Sequence, residues 1–219
     1  MTRGDGPLEP VVAARHPHAD GDAVVFLDKD GTLVENVPYN VDPSRIRLAP
    51  GAEQALPQLA RAGFRFAVIS NQPGIALGRF SEQALAGVDA RLRELLAAIG
   101  VELSGFYYCP HHPAGVVPAY AVTCDCRKPA PGLVLRAAGD LGANLRRSWL
   151  VGDILDDIEA GNRAGCGTVL LDNGNETEWV LGPARYPGHI ARTLLDAAHI
   201  ILTVSRPALT RAHAALTAP

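Results

Sequence analysis

Ala23-Val24-Val25-Phe26-Leu27-Asp28-Lys29-Asp30-Gly31-Thr32 is the stretch whose reading decides the fold. Five apolar residues run without the alternation of a half-exposed strand, which marks a strand buried on both faces and therefore a parallel sheet. The run ends at two carboxylates spaced i and i+2 on a glycine-containing turn. The pattern recurs outward from there. Phe64–Ile69 is a second apolar run, after a helical stretch over residues 52–62. Residues 81–99 read as a long amphipathic helix, with Ser81 placed to cap it and Gly100 to end it. Phe106–Tyr108 is a third strand, followed by a loop over 109–131 that holds five prolines. A helix over 133–141, the strand Trp149–Val151, a helix near 156–164 and the strand Thr168–Leu171 continue the alternation. Strands alternating with helices predict a doubly wound α/β domain with a mostly parallel sheet. Ligands of such sheets bind beyond the carboxyl ends of the strands, here just after Leu27, Ile69, Tyr108 and Val151.

The chain of 219 residues is long enough for one domain with a real core. Residues 1–21, charged and without apolar periodicity, read as a mobile leader; 22–172 form the domain; 173–219 form a C-terminal extension. Asn173-Gly174-Asn175-Glu176 is turn chemistry, Ile190–Leu202 reads as a last helix, and the extension is expected to pack on the domain before its alanine-rich end frays or packs loosely. Twenty basic against 23 acidic side chains give a net charge of −3, without the basic bias of nucleic-acid or membrane-surface binders. No apolar run is long enough for a membrane span, and MTRGDGPLEP lacks the apolar core of a secretory signal. The expected compartment is the cytosol.

Four segments carry chemistry, and each has a bland alternative. Asp28 and Asp30 repel one another, which raises one pKa unless a cation compensates; such oxygen ligands suit Mg²⁺. A solvated Asp-Gly turn is the alternative. Ser70-Asn71-Gln72 offers a hydroxyl and two amides to an anionic oxygen, or is another polar turn. Asp153, Asp156 and Asp157 can be explained by the helix dipole, although Asp153 sits on the turn itself, where it can face Asp28. Arg127-Lys128 is an adjacent basic pair just before a helix, the usual place for a solvated basic turn.

In the order DxDGT, SNQ, RKP and GDxxxD, these segments resemble the haloacid-dehalogenase superfamily of phosphohydrolases, from about Val24 to Leu171. The resemblance implies two-step phosphoryl transfer. Asp28 would be the nucleophile and Asp30 the general acid and base. Ser70 and Lys128 would hold the phosphoryl oxygens, and Asp157 would orient Lys128 or a metal-bound water. Mg²⁺ would be held by the Asp28 carboxylate, the Asp30 carbonyl and the Asp153 carboxylate. Asn71 and Gln72 would join the substrate site. The 42 positions between Asp28 and Ser70 leave no room for a large cap domain.

Cys109-Pro110-His111 and Cys124-Asp125-Cys126 flank the proline-rich loop. Three thiolates and an imidazole make a closed tetrahedral Zn²⁺ set of the structural type. His112 is the alternative imidazole, but the matching C-x-H and C-x-C spacings favour His111. A Cys124–Cys126 disulfide would be strained, and Cys166 is most simply a small buried residue. Zinc here would fix the backbone that presents Lys128. The string CPHHPAG…CDCRKPAPG resembles the heptose-bisphosphate phosphatase branch, which also contains bacterial histidinol-phosphate phosphatases. The 13 positions from His111 to Cys124 resemble the longer loop of the heptose enzymes. Pro73–Phe80 resembles their substrate loop, with Leu77 where an arginine is often found and Ile154 in place of a common lysine. Arg79 and Arg127 remain to clamp a distal anionic group.

The expectation is thus a Mg²⁺-dependent phosphoric monoester hydrolase with structural zinc, acting on a small phosphorylated metabolite. The resemblance points to D-glycero-D-manno-heptose 1,7-bisphosphate, with the 7-phosphate removed. Histidinol phosphate is the alternative substrate. A metal-stabilised binding protein without catalysis is the alternative of another class.

Overall fold

The computed structural model describes the backbone of residues 21–216 and the side chains of residues 21–205, so the expected leader lies, but for Gly21, outside the described residues. Six strands form one sheet: β1 (Val24–Leu27), β2 (Arg65–Asn71), β3 (Leu103–Cys109), β4 (Trp149–Gly152), β5 (Gly167–Leu171) and β6 (His189–Ala191). All pairings are parallel, in the order β3-β2-β1-β4-β5-β6. The five α-helices among the described residues are α1 (Ala52–Arg61), α2 (Leu85–Ala98), α3 (Gly132–Leu141), α4 (Leu155–Ala164) and α5 (Leu194–Leu216).

β1 has both faces covered, as its unbroken apolar run requires. Val25 and Leu27 point into a core with α1, α2 and α5, through residues such as Leu56, Leu92 and Ala198. Val24 and Phe26 point the opposite way, into a core with α3 and α4 through Val134 and Ala160. This period-2 division of one strand between two cores makes three layers. Among the described residues, no helix is long and apolar enough to cross a membrane.

The chain winds outward from β1 to β3, then returns to place β4 on the other side of β1. The crevice at this reversal lies at the carboxyl ends of β1 and β4. Register levels the strand ends there: Leu27 pairs with Val68 on one side and Val151 on the other. The Asp28 amide donates to the Val151 carbonyl at 2.9 Å, which locks the two loops at their roots.

Three local expectations change. Ser81 makes no side-chain capping bond; it heads a short 3₁₀ turn over Glu82–Ala84, and α2 starts only at Leu85. Strand β2 extends through Asn71, so Ser70 and Asn71 belong to the strand itself. The last helix starts at Leu194 instead of Ile190, because Ile190 pairs with Leu170 in β6. A three-residue edge strand is too short to register as a period. Thr193 and Asp196 then cap α5 reciprocally, each backbone amide donating to the other's side chain at 3.1–3.2 Å. The helix runs on to Leu216, through most of the alanine-rich end.

Candidate active site and thiol cluster

Asp28 follows β1, Asp153 follows β4, and Asp157 lies in the first turn of α4. Although Asp28 and Asp153 are 125 positions apart in the chain, the topology makes their loops neighbours. These three buried carboxylates offer oxygens within 4.8 Å of one another. Lys128 stands among them, its ammonium 2.5 Å from Asp28 Oδ1 and 2.5 Å from Asp157 Oδ1. It also donates to the Ile69 carbonyl at 2.9 Å. Burial works against the Lys128 charge, but the Asp157 and Asp28 carboxylates outweigh it and raise the pKa above the usual lysine range.

Three carboxylates against one ammonium leave excess negative charge in a dry site. Burial, with the Asp28 and Asp157 charges adding to it, pushes the Asp153 carboxyl up to about 8. Burial likewise pushes Asp157 up to about 7, against the pull of Lys128. Such a donor set, all oxygen and short of positive charge, fits a hard divalent cation such as Mg²⁺. Asp30 is the most open acid of the group, its side chain 31% exposed. Its pKa is raised by burial, while the charge and hydrogen bond of Lys29 pull it down.

The other predicted residues divide between open and occupied. Ser70 is buried and accepts from Gln72 Nε2 at 2.8 Å, beside Asp30. Asn71 turns its whole amide onto the Lys128 backbone. Its Nδ2 donates to the Lys128 carbonyl and its Oδ1 accepts from the Lys128 amide, both at 3.0 Å. That pairing aims Asn71 at the lysine's main chain instead of at open space. Arg79 lies over the Tyr39 ring, 4.6 Å from its centroid, a cation–π contact on the exposed rim. Arg127 reaches the His111 carbonyl at 3.5 Å.

Cys109, His111, Cys124 and Cys126 converge as one cluster. Cys126 Sγ lies 3.2 Å from Cys109 Sγ and 3.3 Å from Cys124 Sγ, and His111 Nδ1 lies 3.4 Å from Cys126 Sγ. All the cysteines are free. Four soft donors at the edges of a small tetrahedron fit Zn²⁺. Burial pushes the Cys109 thiol well above its ordinary value, with its bond to Cys126 adding to the shift. Cys166 is not part of the cluster; it is buried in the core with α3 and α4, and burial pushes its thiol up to about 12. The loop carrying the cluster is tied elsewhere too. Tyr108 and Tyr120 donate to the two oxygens of Glu82 at 2.9 and 2.6 Å. The Val116 and Val117 amides donate to the Ala76 carbonyl at 2.8 and 2.9 Å, joining the loop to the Pro73–Phe80 turn.

Two features escaped the sequence reading. Lys29 is buried and pairs with Asp30 at 2.7 Å; between two aspartates, it reads simply as a turn lysine. The Asn173–Glu176 turn reaches across the site: Asn173 Nδ2 donates to the Gly31 carbonyl and Asn175 Nδ2 to Asp153 Oδ2, both at 2.8 Å. Its only signal was three hydrogen-bonding side chains within four residues.

A turn with two aspartates, a buried lysine and strand-end carboxylates thus meet at the switch point, an arrangement that fits a haloacid-dehalogenase-like hydrolase. The HAD-hydrolase-like family model matches residues 125–197. The chain is also 38% identical over 166 residues to the D-glycero-beta-D-manno-heptose-1,7-bisphosphate 7-phosphatase of Escherichia coli K12, a match covering 72% of this chain and 87% of that protein. It therefore belongs to the haloacid-dehalogenase-like phosphatase family that contains that enzyme. Among solved structures, a putative HAD-like phosphatase from Mesorhizobium loti is similar at 35% identity and a TM-score of 0.72, over 92% of each chain. The D,D-heptose 1,7-bisphosphate phosphatase of B. bronchiseptica, solved with magnesium and phosphate, is similar at 26% identity and a TM-score of 0.67, over 83% of this chain and 99% of that one.

Proposed function

We propose that the protein is a Mg²⁺-dependent phosphatase that removes the 7-phosphate of D-glycero-D-manno-heptose 1,7-bisphosphate through an aspartyl-phosphate on Asp28. The observation that carries this is the buried cluster of Asp28, Asp153 and Asp157 around Lys128, at the carboxyl ends of the strands where ligands of such sheets bind. The likeness to the heptose enzymes supports the substrate.

In the first step a carboxylate oxygen of Asp28 attacks phosphorus in line. The bond from phosphorus to the sugar oxygen breaks, and Asp30 gives its proton to that oxygen. Burial keeps Asp30 protonated at higher pH than an ordinary aspartate, which suits a proton donor. In the second step Asp30 takes a proton from water as that water attacks phosphorus. The bond from phosphorus to Asp28 breaks, and inorganic phosphate leaves. Ser70 and Lys128 hold the phosphoryl oxygens as charge spreads over them. Asp157 keeps the Lys128 ammonium pointed inward, and Asn71 fixes its backbone. Gln72, next to Ser70 and Asp30, steadies the ester, while Arg79 and Arg127 face the distal phosphate.

The Asp28 carboxylate, the Asp30 carbonyl and the Asp153 carboxylate would hold Mg²⁺, which when bound offsets the repulsion between the Asp28 carboxylate and the phosphate dianion. Cys109, His111, Cys124 and Cys126 would hold a structural Zn²⁺.

Phosphate release with Mg²⁺ tests the reading, with heptose 1,7-bisphosphate, its monophosphates and histidinol phosphate compared by kcat/KM. Strong preference for the bisphosphate is expected. Preference for histidinol phosphate would overturn the substrate, and absence of turnover on every phosphate ester would overturn catalysis itself.

A further inference from the structure

We propose that Asn175 is the positioning residue for Asp153, holding that carboxylate in the one orientation that receives a divalent cation. The inference rests on the reading of Asp153 as a cation ligand. Ligating carboxylates are generally oriented by a hydrogen bond from outside the coordination shell. Asp153 is held at both oxygens: Thr32 Oγ1 donates to Oδ1 at 3.3 Å and Asn175 Nδ2 to Oδ2 at 2.8 Å. The first is long for a hydroxyl donor, so the amide supplies the stronger constraint. In its ionised, cation-binding form a carboxylate can only accept, which fixes the Asn175 side-chain amide with its nitrogen toward Asp153. Its oxygen in turn accepts from Asn36 Nδ2 at 3.2 Å.

The rest of the turn is anchored at both sides of the crevice. Asn173 Nδ2 donates to the Gly31 carbonyl at 2.8 Å, and the Asn175 backbone N–H donates to Asn173 Oδ1 at 3.3 Å. Glu176 Oε2 accepts from the Leu155 amide at 2.7 Å, satisfying an otherwise orphan donor in the first turn of α4. One strap of four residues thus joins the Asp28–Thr32 loop, Asp153 and α4. Gly31 is shaped to admit it: φ is +85°, and a Cβ there would lie 2.1 Å from Asp153 Oδ2 and 2.5 Å from Asn175 Nδ2.

The residue type matters as much as the geometry. A lysine or arginine in this place would neutralise Asp153 and compete with the cation for its lone pairs. The neutral amide orients the carboxylate and leaves its charge for the metal.

The test titrates Mn²⁺ into the full-length, zinc-replete protein, following free Mn²⁺ by electron paramagnetic resonance, with the Mg²⁺ dependence of phosphate release measured in parallel. Asn175→Ala is expected to weaken Mn²⁺ binding by about 10- to 100-fold, with the apparent Mg²⁺ constant rising in step. Asn175→Ser, which keeps a shorter donor, should fall between alanine and wild type, and it remains readable if the alanine variant does not fold. Glu176→Gln controls for a general loosening of the strap: it should lower Tm and leave Mn²⁺ affinity alone. Wild-type Mn²⁺ affinity in the Asn175 variants, with binding lost in Asp153→Asn, overturns the proposal. Mn²⁺ binding retained by Asp153→Asn overturns the cation-ligand reading beneath it, a separate failure.

Discussion

The carboxylate site and the thiol cluster are both sets of side chains able to hold a metal ion, yet they are built by opposite routes. Asp28, Asp153 and Asp157 are gathered from distant segments by the winding of the sheet, on strand ends and a helix start that are buried and fixed. Cys109, His111, Cys124 and Cys126 come from one stretch of 18 residues, the last residue of β3 and the loop that follows it. The first set is hard, charged and stabilised by a lysine; the second is soft and local, with only Cys109 anchored in the sheet at the end of β3. Damage to the first should therefore remove chemistry and leave the fold, whereas damage to the second should loosen the loops that present the chemistry.

The sharpest way to break this comparison is Asp28→Asn, which keeps the shape of the site and removes the carboxylate charge proposed to attack phosphorus. Phosphate release should fall by about a thousandfold or more, with the folded state retained by circular dichroism. Turnover near the wild-type level would end the aspartyl-phosphate mechanism and with it the special standing of this site. Cys126→Ser probes the other cluster. Zinc content should drop to near zero by elemental analysis, and Tm should fall by about 2–4 °C for each kcal/mol the metal contributes. KM should rise as well, since the loop holds the Pro73–Phe80 turn through Ala76. A protein purified without zinc, equally stable and active, would sink the structural-metal assignment.

Asn71→Ala addresses the point where the two regions meet, because Lys128 lies two residues after Cys126. Loss of both bonds to the Lys128 backbone should cut kcat/KM roughly tenfold, at about 1–1.5 kcal/mol for the pair after partial replacement by water. An effect confined to Tm would mean that the clasp serves stability alone.

The smallest effect concerns Glu176. Backbone amides of Leu155, Glu178 and Trp179 donate to its carboxylate and hold its pKa below the usual 4.5, burial pulling the other way. A carboxylate with a lowered folded pKa stabilises the fold above its unfolded value, and that contribution disappears as pH falls through the folded value. The Tm difference between wild type and Glu176→Gln should therefore be constant from neutral pH to about 5 and vanish at lower pH. A difference that grows with acidification would reverse the sign and exclude the capping account.

Much of the site was legible because its members sit at strand ends, and strand ends can be read from where apolar runs stop. Asp28, Asp30, Ser70 and Asp153 carry polar chemistry at those stops, Lys128 was legible as half of the basic pair before α3, and the fold brings Lys128 between Asp28 and Asp157. Asn71 was legible as polar, but its direction was not: the extension of β2 by two residues, and the approach of the Lys128 backbone, turn its amide sideways. Strand β6 escaped because His189-Ile190-Ala191 at a sheet edge needs only one covered face, so no apolar run announces it.

The sequence by itself determined the α/β alternation, the unbroken apolar run that demands a two-sided sheet, and the two donor sets with their preference for oxygen-binding or sulfur-binding metals. These depend on residue type and spacing within a few turns of chain, where the physics is local. Only the tertiary structure decided that β4 returns beside β1, that Lys128 lies between Asp28 and Asp157, and that a turn after β5 reaches Asp153. Those outcomes depend on which distant segments the packed cores leave side by side, and on the directions in which a few polar side chains can then find partners.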